Sequence, residues 1–276
     1  MSGFLSRQEW FDRVGSTNDV VRDWLDAGTP EVCLAIANEQ TSGRGRSGRT
    51  WVAPPGTALL LSLGFRPTWL SPERAWRIVA TASLAMAEAA ESVAGLPAGA
   101  VRLKWPNDLV IEPDGREPRK LAGVLGETQG MGSNDPQLVV GLGVNVDWRV
   151  ADYPPELAGS MTSLREVADV RAPGGHALDV DVVRLRDRFL ERLEGGIEAL
   201  RAGRFDGASW AGRQLTTGRM IRLEHAHHHE TVQAVGVDEH TGALLVADPG
   251  ARRGERQVLV GEVSHVRIAD TPSVTV

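Results

Sequence analysis

The sequence predicts a mixed α+β protein, with one large domain followed by a small antiparallel β-barrel. Residues 1–213 alternate amphipathic helices with apolar strand-like runs. Residues 214–276 consist of short strand-like runs separated by turn residues. A chain of 276 residues is long enough for one large and one small domain. We therefore place the domain boundary between residues 213 and 214.

Three segments of the large domain have the pattern of helices. They cover 16–28, 71–95 and 178–203. Serine caps open the first two, and a glycine ends each of the three. In the third, Val182, Leu185, Phe189 and Leu193 begin an apolar stripe at helical spacing. We expect all three helices to bury one face against a sheet or against one another.

The strands of the large domain are apolar runs that polar or glycine-rich motifs interrupt. They are predicted at 34–39, 58–65, 101–112, 119–128 and 137–146, with a hairpin around the turn at 112–118. Pro106 breaks the ladder of the third run. The strands of the small barrel are predicted at 219–224, 231–238, 243–248, 255–260 and 263–268.

Composition excludes several classes of protein. The net charge of −6 argues against a dedicated nucleic-acid binder, because such proteins present a basic face. The single cysteine, Cys33, rules out a disulfide framework and a cysteine zinc site. The N-terminus lacks the apolar core of a signal peptide, and no apolar run is long enough to span a bilayer. The expected location is the cytoplasm, without membrane contact.

The run "TSGRGRSGRTW", residues 41–51, concentrates three glycines and three arginines. Gly43, Gly45 and Gly48 match the dinucleotide-binding fingerprint, but that motif opens a helix and is answered by an acidic residue about 20 positions later. Here Pro54 and Pro55 prevent a helix, and residues 59–70 contain no acid. The run is therefore predicted to be a mobile cationic loop between two strands. The alternative is a flexible basic surface loop.

The histidine cluster at 225–229 is predicted to be a solvated hairpin loop. Four histidines could ligate a metal ion. They have neither the helical spacing nor the strand alternation that would bring the rings together, and they lie between two predicted strands.

Four polar side chains interrupt strand-like segments: Asn107, Asp108, Lys120 and Asn145. A buried polar group needs a partner or a ligand. Each has a simple alternative, since "PND" is a common turn and a lysine that starts a strand is usually solvated. Together with the arginine-rich loop and the glycine-rich strands, they predict a site that gathers anions and accommodates a slim ligand.

This combination resembles the biotin protein ligase family. The motifs "GRGRSGRTW" (43–51), "KWPNDL" (104–109), "KLAGVLGE" (120–127), "GLGVNV" (141–146) and "MTSL" (161–164) have the order and spacing of that family. The resemblance extends from about residue 10 to the end of the chain. It implies a catalytic domain like those of class II aminoacyl-tRNA synthetases at 1–213, which binds biotin and ATP. An SH3-like β-barrel would follow at 214–276.

The resemblance implies a reaction in two steps. Biotin and MgATP form biotinoyl-AMP and pyrophosphate, and a lysine of a biotin carboxyl carrier domain, such as that of acetyl-CoA carboxylase, then attacks the mixed anhydride. A carboxylate that attacks a phosphate approaches like charge, so cations must line its path. The implied substrates and cofactor are thus biotin, ATP and Mg²⁺.

The family's functional residues map onto this sequence position by position. Biotin contacts are implied for Ser16, Thr17, Asn18, Gln40, Arg44, Gly45, Arg46 and Lys120. Nucleotide contacts are implied for Arg49, Trp51, Asn107 and Asn145. Lys120 and Arg46 are the implied catalytic residues, and Asp108 is the candidate for Mg²⁺.

Bifunctional members of the family carry an N-terminal winged-helix DNA-binding domain. Here the first motif begins at Gly15, so we expect the monofunctional type, a monomer or weak homodimer without specific DNA binding. Two alternatives stay open. One is a lipoate ligase or octanoyltransferase of the same fold, and the other is a biotin- or nucleotide-binding sensor without turnover.

Overall fold

The computed structural model describes residues 3–113, 117–171, 180–225, 228–263 and 265–269. The chain divides into two compact units. The first contains Met1–Arg102 and Asp108–Phe205, and the second contains Leu103–Asn107 and Asp206–Val276. Parts of the predicted turn at 112–118, of the histidine cluster, of the start of the third helix and of the last predicted strand lie outside the described residues.

A seven-stranded sheet dominates the larger unit. Its strands are β1 (Arg7–Val14), β2 (Cys33–Gln40), β3 (Ala58–Phe65), β4 (Val101–Lys104), β5 (Asp108–Ile111), β6 (Arg119–Gln129) and β7 (Gln137–Asn145). The strand order is β1-β2-β3-β7-β6-β5-β4. β1 pairs with β2 in parallel, whereas β2–β3, β3–β7, β7–β6 and β6–β5 are antiparallel.

The helices of the larger unit are α1 (Thr17–Asp26), α2 (Trp76–Val93), α3 (Leu164–Arg171) and α4 (Val182–Arg201). Short 3-10 turns lie at Arg46–Gly48, Pro72–Arg74 and Val150–Asp152. α1 packs on β2, β3 and β7, with Val21 and Leu25 fully buried beside Cys33. α2 packs against α4, so the predicted apolar stripe of α4 is covered by a helix.

The smaller unit begins with the short helix α5 (Gly207–Gly212). It then forms an antiparallel sheet from β8 (Met220–Glu224), β9 (His229–Val237), β10 (Leu244–Ala247), β11 (Glu255–Val258) and β12 (His265–Ile268). The order is β11-β10-β9-β8-β12, and a 3-10 turn lies at Val260–Glu262. Trp105 is 2% exposed in the core of this unit, and its indole N–H donates to the Gly242 carbonyl at 3.0 Å.

The observed unit begins at Asp206, eight residues before the predicted boundary. α5 belongs with the small sheet because Gly207 packs against Glu239 so closely that a Cβ there would lie 2.3 Å from the carboxylate. Leu103 joins it through backbone hydrogen bonds to Arg213 and Leu215. The functional division at 213/214 stays a prediction.

The predicted helices and strands are observed, and the mixed α+β class is confirmed. β1, α3 and α5 were not predicted from the sequence. The histidine cluster does link two antiparallel strands, β8 and β9. In the parts of the chain with a described structure, no helix combines the length and apolarity needed to cross a membrane.

Candidate functional site

The arginine-rich run connects β2 to β3 and folds back on itself. The Gly45 N–H donates to the Arg49 carbonyl at 2.7 Å, and the Trp51 N–H donates to the Gly43 carbonyl at 2.9 Å. A Cβ on Gly43 would lie 2.5 Å from the Trp51 carbonyl oxygen, so this close return requires glycine. The run opens no α-helix, and its two flanking strands are antiparallel. It is therefore a loop between strands, as predicted, and not a dinucleotide-binding turn.

Three glycines leave a strip of bare backbone on one face of β6 and β7. Gly123 pairs directly with Gly143, and Gly141 lies two residues earlier on the same face. The Trp51 indole covers one end: a Cβ on Gly143 would lie 2.4 Å from its Cε2 atom, and one on Gly123 would lie 3.1 Å from Cζ3. The Asn18 amide covers the other end, 2.2 Å from a Cβ on Gly141. We call Gly123, Gly141 and Gly143 the glycine strip.

Charged side chains gather at the Trp51 end of the glycine strip. The Lys120 ammonium lies 2.6 Å from Asp108 Oδ1 and 5.4 Å from the centroid of the Trp51 ring. Burial lowers the pKa of the half-buried Arg46, Asp108 opposes the shift, and Arg49 adds to it. Lys120 thus pairs with Asp108 at this end, and the Arg46 guanidinium is close enough for Asp108 to act on its pKa.

Polar side chains gather at the Asn18 end. Ser16, Thr17 and Asn18, at the start of α1, are all buried. The Gln40 Oε1 atom accepts the Thr17 N–H at 2.7 Å. Ser62 also takes part, donating to Asn18 Oδ1 at 2.5 Å. Ser62 was not predicted, although a hydroxyl in the apolar run "ALLLSLGF" was a usable signal.

Arg44 is held by carboxylates of the chain itself. Its two terminal nitrogens donate to both oxygens of Asp19, each at 2.7 Å, and Nη2 also approaches Glu127 at 3.4 Å. This hydrogen bonding lowers the pKa of Asp19 and raises that of Arg44. Arg44 was predicted to contact biotin, and its pairing with Asp19 and Glu127 was not predicted.

Asn145, at the end of β7, is fully buried, and only one of its two amide atoms has a hydrogen-bond partner among the described residues. Its Nδ2 donates to the Thr162 carbonyl at 3.0 Å, but its Oδ1 has no hydrogen-bond partner among the described residues. The Trp51 indole nitrogen is likewise buried without a partner in the described part of the chain. Buried acceptors and donors without partners are costly, so a ligand that supplied partners to these two atoms would be stabilised here.

The segment after β7 returns to the same place. Lys120 exchanges backbone hydrogen bonds with Ser160 and Thr162, at 2.7 and 2.9 Å. The rings of Trp148 and Tyr153 are in contact with centroids 5.0 Å apart and planes tilted by 32°, in a cluster that also contains Met161. The motif "MTSL" thus lies beside the predicted catalytic lysine.

The remaining predicted residues are less central. Arg49 is exposed, and Gly45 stays within the folded-back loop. Asn107 falls in the segment that groups with the smaller unit. Among the residues of described structure, no three His, Cys, Asp or Glu side chains form a group that could hold a metal ion.

Comparison with known proteins agrees with this geometry. Residues 10–145 match the model of the biotin/lipoate A/B protein ligase family. The chain is 31% identical to the biotin–[acetyl-CoA-carboxylase] ligase of Mycobacterium tuberculosis over 258 residues, which is 92% of this chain and 87% of that protein. It is 25% identical to the bifunctional ligase/repressor BirA of Bacillus subtilis, over 88% of this chain and 70% of that protein.

A solved structure gives the same result. The biotin protein ligase of Aquifex aeolicus, in complex with biotin and ATP, superposes with a TM-score of 0.74 at 26% identity. The match covers 95% of this chain and 99% of that one. The likeness confirms the predicted class II synthetase-like catalytic fold with a small β domain. The chain therefore belongs to the biotin protein ligases, within the biotin/lipoate A/B protein ligase family.

Proposed function

We infer that this chain is an ATP-dependent biotin ligase. In the first step the biotin carboxylate attacks the α-phosphorus of ATP, the bond to the β-phosphate oxygen breaks, and biotinoyl-AMP and pyrophosphate form. In the second step a lysine amine of a biotin carboxyl carrier domain attacks the acyl carbon. An amide forms, AMP leaves, and the amine loses a proton.

One observation supports this function above the others: the glycine strip is polar at one end and cationic at the other. Asn18 and Thr17 present amide and hydroxyl groups at the first end. Lys120 and Arg46 supply cations at the second. A molecule with a polar ring head, a thin aliphatic chain and a terminal carboxylate matches this order, and biotin has that chemistry.

The cationic end suits the first step because negative charge accumulates there. Lys120 would face the biotin carboxylate and the α-phosphate, with Arg46 beside it. Asp108, 2.6 Å from the Lys120 ammonium, fixes the position of that side chain. Cations that are placed before the reaction stabilise the transition state without reorganisation.

The unpartnered Asn145 Oδ1 suits a nucleotide. The exocyclic amine of adenine is a donor that would satisfy this acceptor, while the Thr162 carbonyl keeps Asn145 Nδ2 occupied. Trp51 lies on Gly143, two residues before Asn145 on β7, and offers an aromatic ring for stacking. We assign ATP to this end of the site for that reason.

Magnesium fits the site only as a partner of the phosphates. Asp108 offers one carboxylate, already paired with Lys120, and the described residues contain no group of three potential ligands. Mg²⁺ is commonly held by one or two carboxylates together with substrate phosphates and water. Asp108 would hold the ion, which would supply charge neutralisation on the phosphates.

The substrate test compares three acids. The purified chain is incubated with MgATP and biotin, lipoate or octanoate, and pyrophosphate release is measured under single-turnover conditions. We expect release with biotin only. Release with lipoate or octanoate and not biotin would favour a lipoate ligase, and tight biotin binding without release would favour a sensor.

A further inference from the structure

A series of hydrogen bonds ends on one carboxylate, that of Glu127. Gln40 Oε1 accepts the Thr17 N–H at 2.7 Å, and the hydroxyls of Thr17 and Ser62 are 2.7 Å apart. Ser62 donates to Asn18 Oδ1 at 2.5 Å, and Asn18 Nδ2 donates to Glu127 Oε2 at 2.7 Å. Ser62 uses its single proton on Asn18, and the Thr17 hydroxyl lies within hydrogen-bond distance of two acceptors, Ser62 Oγ at 2.7 Å and Gln40 Oε1 at 3.0 Å. The last two donors of the series, Ser62 and Asn18, therefore point toward Glu127.

The same Glu127 oxygen receives two guanidinium groups. Arg22 Nη2 lies 2.8 Å and Arg44 Nη2 lies 3.4 Å from it. Asp19 completes the group by pairing with both arginines, at 3.0 and 2.7 Å. Two carboxylates thus balance two guanidiniums in a partly buried cluster, and Arg44 carries the arginine-rich loop into it.

We propose that Glu127 is a positioning residue of the biotin site, which fixes the amide of Asn18 on the glycine strip and anchors the arginine-rich loop through Arg44. This inference rests on the proposed function. An ionised carboxylate only accepts hydrogen bonds, so it imposes one orientation on the Asn18 amide. An amide at position 127 would present donors of its own to Asn18, Arg22 and Arg44.

Replacement of Glu127 should act mainly at the biotin end of the site. Glu127 and Lys120 are seven residues apart on β6, which corresponds to about 24 Å along the strand. Arg44 keeps its two 2.7 Å hydrogen bonds to Asp19 when Glu127 is replaced, so the arginine-rich loop stays attached. Loss of the charge-assisted contacts at Glu127 should therefore weaken biotin binding much more than ATP binding. For Glu127→Gln we expect the Kd of biotin to rise about 10- to 100-fold. The KM of ATP at saturating biotin should stay within about twofold of wild type.

The test measures biotin Kd by isothermal titration calorimetry without ATP, and ATP KM by pyrophosphate release. Glu127→Asp keeps the charge but withdraws the carboxylate by one methylene, so a smaller rise of about 2- to 10-fold is expected. Glu9→Gln is the matched control, because Glu9 forms an exposed ion pair with Arg7 on β1, at 3.1 Å. Its biotin Kd should equal that of wild type.

The binding measurements distinguish the proposed function from the positioning role of Glu127. If wild type fails to bind biotin, the proposed function and this inference are both wrong. If wild type binds biotin and both folded Glu127 variants bind it equally well, the inference alone is wrong. Should Glu127→Gln not fold, unchanged binding by Glu127→Asp would still overturn the inference. An equal loss at the biotin and ATP ends would show a general structural defect instead of positioning.

Discussion

Replacing Gly143 by alanine probes the bare backbone on which Trp51 lies. A Cβ at position 143 would stand 2.4 Å from Cε2, 2.7 Å from Nε1 and 2.8 Å from Cζ2 of the Trp51 indole. Carbon atoms in contact prefer separations of about 3.5–4.0 Å. The ring would therefore have to move outward by about 1 Å, since the sheet backbone below it is paired on both sides.

Displacement of the Trp51 ring should mainly weaken the binding of ligand. Trp51 would lose its contact with Gly123 and its place beside Lys120, 5.4 Å from the ring centroid. Overpacking by one methyl group costs about 1–3 kcal/mol. If that cost falls on the liganded state, binding of a stable biotinoyl-AMP analogue weakens by about 5- to 150-fold.

The assay is calorimetric titration of the analogue into wild type and Gly143→Ala. Gly196→Ala is the matched control, because a Cβ there would lie 2.5 Å from Thr81 Cγ2 between α4 and α2, away from the site. The control should change thermal stability and leave analogue binding as it is. Wild-type affinity in folded Gly143→Ala would refute the idea that Trp51 needs the glycine strip.

Three further predictions concern the charged end and its surroundings. Lys120→Ala should slow biotinoyl-AMP formation by about 10²–10³, with a smaller loss of biotin affinity, and wild-type rates of pyrophosphate release would disprove its role. Arg46→Gly should still form the adenylate but release it about 5- to 150-fold faster. Streptavidin blots of reactions with serum albumin and no carrier domain should then show more biotin on the albumin than with wild type. Equal labelling of the albumin would contradict this prediction. Burial raises the pKa of Tyr153, the one tyrosine of the chain, to about 12, so tyrosinate absorbance should rise with a midpoint near that value and not near 10. Because the folded-state pKa is the higher one, the contribution of Tyr153 to stability is complete below about pH 10 and is lost as the pH rises toward 12.

Local patterns were sufficient for the main helices and strands. The α4 stripe and the run "ALLLSLGF" bury the side chains that their periodicity indicated. β1 was missed because its residues are largely exposed at a sheet edge, so "RQEWFDRV" lacks an apolar pattern. Its pairing with β2 depends on residues more than twenty positions away, which local propensity does not report.

The candidate site was predictable in its motifs but not in its internal pairing. Lys120 and Asp108 were predicted separately, and the fold places their charged groups 2.6 Å apart. Arg44 was predicted to contact biotin, yet Asp19 and Glu127, 25 and 83 positions away, hold its guanidinium. Such contacts come from strand order and helix packing, which no spacing along the chain expresses.

The most direct test of the account is the mass of a biotin carboxyl carrier domain after incubation with this chain, biotin and MgATP. We predict a gain of one biotinoyl group, located on a single lysine and formed together with AMP and pyrophosphate. The gain should require ATP and be strongly reduced with Lys120→Ala. An unmodified carrier in a reaction that consumes ATP and biotin, or transfer of lipoyl in place of biotinoyl, would contradict the proposed function.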